Sequence, residues 1–144
     1  MKTMKYATLS LALGLAMTAT AASASTAVPA PRPPDPATAA RTVTLTNHDD
    51  GRTVVVHPGD VVDVRLTGLR EKGVTWVWSD LAITAPHLLR RVGGGTTPGG
   101  DARAVLRAVG RGHGDIAAVR HCVAAPGHVC SHAVVNWKAA VDIR

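Results

Sequence analysis

Aromatic residues, methionine and glutamate are scarce in this chain. Its 144 residues hold no Phe, one Tyr, three Trp, three Met and a single Glu, Glu71. Tyr6 and all three Met precede Thr18, so only Trp76, Trp78 and Trp137 remain beyond that point. Without a row of exposed aromatics, a base-stacking nucleic-acid module is excluded. Without a thioether, so are a blue-copper site with an axial Met and a Met-rich adaptable groove. No H-E-x-x-H, G-x-S-x-G or P-loop pattern is present, so nothing points to an enzyme or to a cofactor.

The first 24 residues read as a signal peptide. Lys2 and Lys5 supply the positive start, Ala7 to Thr18 the apolar stretch, and Ala22-Ser23-Ala24 the small residues expected before cleavage. The apolar run falls short of the ~20 residues that span a bilayer, so the expectation is a secreted, extracellular protein that is not integral to a membrane. Removal of residues 1–24 leaves 14 basic and 10 acidic side chains and lowers the net charge from +6 to +4. Residues 25–40 carry Pro29, Pro31, Pro33, Pro34 and Pro36 and read as an extended linker.

Residues 41–144 are expected to form one domain. The period is near two, with Gly, Pro, Asn and Asp at the breaks, which is the all-β pattern. Strands are expected at 42–46, 52–56, 61–66, 74–78, 102–109, 116–123 and 130–144. Asn47 to Gly51 and His57 to Asp60 mark turns. On 61–66, Val62, Val64 and Leu66 share the core face while Asp63 and Arg65 face water. All three tryptophans are assigned to the core. Residues 81–92 have no clear period, and Gly93 to Gly100 reads as a loop, since Asp101 stands where a phosphate cradle would need its Lys and Ser/Thr. About seven strands with frequent turns predict an immunoglobulin-like antiparallel β-sandwich.

Cys122 and Cys130 flank a turn centred near Pro126. If partner numbers across that hairpin sum to 252, the cysteines lie side by side on the face away from the core, and a disulfide follows in an oxidising compartment. A metal site of His121, His128, Cys130 and His132 is the competing reading, but it would need a sharply bent strand, so no metal is expected. Arg103, Arg107 and Arg120, with Arg90 and Arg91, are candidates to line one face and hold an anionic envelope polymer.

The segments Asp50-Gly51 to Leu66, Gly73-Val74-Thr75-Trp76 and Gly99-Gly100 resemble, in order and spacing, the chagasin-type cysteine protease inhibitors. The resemblance implies an immunoglobulin-like sandwich whose loops at one end wedge into the active-site cleft of papain-like proteases. It assigns binding to Gly73, Gly99 and Gly100. The family's first loop reads Asn-Pro-Thr-Thr-Gly, an aromatic, a variable residue and Trp. Here Arg70-Glu71-Lys72 replaces the Pro-Thr-Thr part and Val74 the aromatic. The third loop's Arg-Pro-Trp has no counterpart, and the Cys122 to Cys130 hairpin occupies its place. Glu71, Lys72, Pro126 and Gly127 are therefore further loop candidates, unmatched to the family. The alternative to an inhibitor is a structural or adhesive module that binds an envelope polymer or another protein.

Overall fold

The computed structural model describes residues 26–31 and 39–144. The chain falls into two units, Met1–Asp35 and Pro36–Arg144, and the second carries the fold. The signal peptide and half of the linker lie outside the described residues. Residues 26–31 and 39–40 have no regular secondary structure and are exposed.

The domain is a β-sandwich, as the alternation predicts. Its strands are β1 (Thr42–Thr46), β2 (Thr53–Val56), β3 (Val61–Leu66), β4 (Leu69–Glu71), β5 (Val74–Trp78), β6 (Ala82–Ile83), β7 (Leu89–Thr96), β8 (Ala102–Ala108), β9 (Gly112–Ala124) and β10 (Val135–Ile143). A 3-10 turn, Asn47–Asp49, follows β1. One sheet has the order β1-β3-β8-β7; the other runs β2-β10-β9-β5-β4, with β6 also on β9. Six of the eight ladders are antiparallel, but β1 with β3 and β2 with β10 are parallel. The parallel pairs arise because β1, β2 and β3 lie alternately in the two sheets, so neither pair is joined by a hairpin.

The core follows from the period of two. Val62, Val64 and Leu66 of β3 meet Ala102, Ala104 and Leu106 of β8, and Trp137, Ala139, Val141 and Ile143 of β10 face them from the other sheet, all buried. Trp137 and Trp78 are sealed in by their own donors. The Trp137 Nε1 donates to the Thr46 carbonyl (3.1 Å) and the Trp78 Nε1 to the Thr67 carbonyl (2.9 Å). A buried indole N–H needs such a partner.

Several local expectations change. The glycine run is strand, not loop: β7 continues through Gly93, Gly94 and Gly95 to Thr96. A Cβ on Gly94, at φ +110, would run into the Arg103 carbonyl, so glycine here permits close strand approach. β9 begins at Gly112, ahead of the expected start at residue 116, and β10 begins only at Val135, five residues after the expected start at 130. Between β6 and β7 a turn at Ala85, whose carbonyl accepts from Leu88 (3.0 Å) and Leu89 (2.9 Å), accounts for the lost period of 81–92.

Asp63 does not face water. It is 4 % exposed beneath two arginines, accepting from Arg103 Nε and Nη2 (both 3.0 Å) and from Arg65 Nε (2.9 Å) and Nη2 (2.6 Å). The Arg103 hydrogen bonds, with those of Arg65, outweigh desolvation and hold its carboxyl below the ordinary range. Asp60 is also lowered, by the backbone amides of His57 (2.9 Å) and Arg41 (3.0 Å). Because the folded values are depressed, both carboxylates stabilise the fold above their unfolded value of about 4, and this is lost as pH falls through the folded values. Thermal melts should be flat from about pH 5 to 8 and fall steeply in more acidic buffer. Asp63→Asn should lower the pH 7 melting temperature and shrink the acid-induced fall; an unchanged profile would contradict the clamp.

Candidate functional site

Three chain reversals lie at one end of the sandwich. The first joins β4 to β5. Glu71 pairs with Val74 across a two-residue loop, Lys72 (φ 44) and Gly73 (φ 80). Positive φ at both central residues makes this a type I′ turn, which matches the twist of the strands. Glu71 and Lys72 are exposed at its tip.

The second reversal follows β9. The His128 amide donates to the Ala125 carbonyl (3.0 Å), enclosing Pro126 and Gly127 (φ 81). Pro at the second position and a positive-φ Gly at the third define a type II turn. This turn is locked to the first. The Ala125 amide donates to the Gly73 carbonyl (2.9 Å), and the His128 imidazole packs where a Gly73 side chain would project. Cys122 and Cys130, with Cα atoms 5.6 Å apart, are joined in a disulfide that ties the rest of the loop back to β9.

The third reversal is the β7–β8 tip. The Gly100 amide donates to the Thr97 carbonyl (3.0 Å), closing a turn around Pro98 and Gly99. Gly99 is exposed but Gly100 is buried, and its carbonyl accepts from the Trp78 amide (2.9 Å). The tip thus takes over the edge of β5 where β4 stops, while Asp101 receives the Gly68 amide (2.7 Å). Trp76 of β5 is three residues beyond Gly73 of the first turn, so this tip sits about 10 Å behind the other two. The end is a stepped convex projection. A cavity of about 490 Å³, lined by Ala39 to Arg41 and His57 to Asp60, lies at the opposite end.

The structure therefore brings Glu71, Lys72, Gly73, Pro126 and Gly127 into one joined tip, with Gly99 and Gly100 on the step behind. Val129, 91 % exposed, and the exposed Ala124 and Ala125 belong to the same tip. Sequence reasoning passed over these three, because nothing in an apolar residue's identity says that a loop holds it outward.

The cysteines pair, but not as the hairpin register implies. Trp137 faces Ala118 and Val135 faces Arg120, three residues from the expected alignment. An odd shift exchanges the faces of a strand. Cys122 consequently shares the inner face with Ile116, Ala118 and Arg120, beyond the part covered by the other sheet. The bridge is made by the 125–134 loop folding back over that face. Among the described residues no group of three His, Cys, Asp or Glu is placed to hold a metal ion.

Trp76 is only half-buried, unlike Trp78 and Trp137. It lies on the same overhanging face, where the Arg120 guanidinium sits 5.8 Å from its ring centroid and 5.3 Å from that of Trp78. Stacking of this kind holds a cation without an acidic partner. Arg120 is thereby separated from the other arginines proposed to share a face. Arg91 is separated too, being paired bidentately with Asp80 (2.9 and 2.7 Å).

The fold has counterparts among solved structures. The cysteine protease inhibitor EhICP2 of Entamoeba histolytica superposes with a TM-score of 0.52 at 15% identity, over 74% of this chain and 98% of that one. Amebosin gives 0.42 at 18% identity, over 72% and 98% of the two chains. The inclusion body protein PixA of Burkholderia cenocepacia gives 0.39 at 10% identity, over 76% and 99%. No protein-family model and no curated protein matches the sequence. At this identity the likeness to EhICP2 shows a shared sandwich fold.

Proposed function

We propose that this chain is an exported inhibitor that occludes the active-site cleft of papain-like cysteine proteases with the joined Lys72-Gly73 and Pro126-Gly127 tip. The observation that carries the reading is the lock between these two turns at the projecting end: the Ala125–Gly73 hydrogen bond, the His128 ring over Gly73 and the disulfide behind them. A tip ordered before contact loses little conformational entropy on binding. The shared fold with a cysteine protease inhibitor and the sequence resemblance at Gly73, Trp76, Gly99 and Gly100 support the same reading. A disulfide is in keeping with export.

The leading element is the 124–129 segment. Ala124, Ala125, Pro126, Gly127 and Val129 are small or apolar and enter a narrow cleft without stripping water from a charge. Glu71 and Lys72 would lose hydration on entry, at a cost of several kcal/mol unless paired, so they belong on the rim. Steric occlusion needs no chemistry of the inhibitor's own.

Titration of residues 25–144 against papain and related proteases should give competitive inhibition below micromolar concentration, with the inhibitor recovered uncleaved. Absence of inhibition of any of them at micromolar concentration would overturn the reading. In the same assay Lys72→Gly should bind at least as tightly. It should also raise stability by on the order of 1 kcal/mol, since it relieves a positive φ on a residue with a side chain.

A further inference from the structure

The outer face of the β1-β3-β8-β7 sheet carries two pairs of arginines directly opposed across neighbouring strands. Arg65 of β3 faces Arg103 of β8, and Arg90 of β7 faces Arg107 of β8. Like charges directly opposite each other destabilise a sheet. At the first pair the protein resolves the conflict: Asp63, on the same face, is buried between the two guanidinium groups and hydrogen-bonds both. At the second pair it does not. Arg90 and Arg107 are exposed and have no acidic partner among the described residues.

The rest of this face is low and uncharged. β1 contributes Thr42, Thr44 and Thr46, Val105 lies between the pairs, Val61 stands beside Arg107 on β3, and Gly93 and Gly95 stand opposite Val105 and Arg103 on the edge strand. Four guanidinium groups thus share the face with one carboxylate. The two pairs are four residues apart along β8, about 13 Å. An unneutralised pair at one end of a shallow strip, and at the other a pair of arginines sharing the single Asp63 carboxylate, suits an extended chain of negative groups lying along the strands. The face offers no aromatic ring for a base to stack on, and a lone exposed valine on its edge strand, Val92, is too little apolar surface to enter a bilayer.

We propose that this face binds an acidic linear polysaccharide, with Arg90 and Arg107 as its principal contacts. The site lies on the opposite sheet from β4 and β5 and is independent of the protease reading. It would let an exported protein be retained on an anionic matrix while its loop end stays free.

The test uses residues 25–144 with heparin and polygalacturonate as probes, against duplex DNA and anionic phospholipid vesicles at matched charge concentration. Binding to either polysaccharide in 0.15 M salt, weakening as salt rises, is expected, and the polymer that binds identifies sulfate or carboxylate as the preferred group. Arg90→Ala/Arg107→Ala should lower that affinity at least tenfold. Its melting temperature should be unchanged or higher, since a like-charge contact is removed, and its protease titration should match that of the parent chain. Wild-type affinity in the double variant, failure to bind both polysaccharides, or equal binding to DNA or vesicles overturns the proposal.

Discussion

Gly100→Ala is expected to destabilise the domain by about 2 to 4 kcal/mol, while Gly99→Ala, one residue away, changes little. Gly100 has φ +93, and an added Cβ would lie 2.9 Å from the Trp76 carbonyl oxygen and 3.1 Å from the Val77 Cα. Both obstacles are backbone within a sheet, so neither yields as the end of a flexible side chain would. Relief requires the β7–β8 tip to lift off β5, breaking the bond from the Trp78 amide to the Gly100 carbonyl. That bond contributes about 1 kcal/mol, to which the strain of a positive φ is added. Gly99 has no positive φ, and its Cβ would meet only Thr97 Oγ1 at 3.7 Å. For a domain of this size the Gly100→Ala melting temperature should fall by on the order of 10 °C or more. Equal melting temperatures for the two variants would show that the tip is not docked on β5.

Removing the disulfide is the second large effect. In Cys122→Ser/Cys130→Ser, losing a bridge of sequence separation 8 should cost about 2 to 3 kcal/mol by loop-closure entropy. The stronger consequence is local. Backbone amides of the 125–134 segment are held by Ala125 to Gly73, His128 to Ala125 and Ala133 to the Ser131 hydroxyl (3.1 Å). Without the bridge, residues 129–134 lose their tie to β9. Far-UV circular dichroism should remain that of a β-sandwich, because the core lies between the sheets and away from this loop. Protease inhibition should weaken at least tenfold, because the freed tip must be ordered on binding. Full inhibition by the double variant would remove the 124–129 segment from its leading role and leave the Lys72-Gly73 turn to carry the contact.

Strand positions were largely legible because alternation reports which face is buried. Thr42–Thr46, Val61–Leu66 and Val74–Trp78 begin and end where the pattern places them. The pattern fails where burial and polarity part company. β4 is exposed at all three residues, Leu69, Arg70 and Glu71, so it has no inner face to signal. Gly93 to Gly95 lack the side chains that would show a period, yet their backbone pairs with β8. Asp63 reads as a solvent-facing charge because its two arginines converge on it only once β3 and β8 are side by side.

The candidate site was legible as separate turns. Gly73, Pro126-Gly127 and Gly100 are residue types that positive φ and tight reversal require, whereas Lys72 gives no sign of its φ of 44. That the first two are locked together, and that Gly100 is buried while Gly99 is free, depends on contacts between β5 and segments that follow it by more than twenty residues. The fate of the tryptophans is of the same kind. Trp76 and Trp78 have the same parity on one strand, but the opposing sheet reaches only as far as Trp78.

The scarcity of aromatics, the turn chemistry and the alternation were determined by the sequence alone, because each is a property of a residue and its near neighbours. They specify a sandwich with small, glycine-bearing tips. Which tips meet, which face the cysteines occupy and which arginines keep their charge unpaired were decided only in three dimensions. The pairing register and the unequal lengths of the two sheets set those outcomes, and a three-residue shift between β9 and β10 is enough to turn Cys122 from the outer face to the inner one.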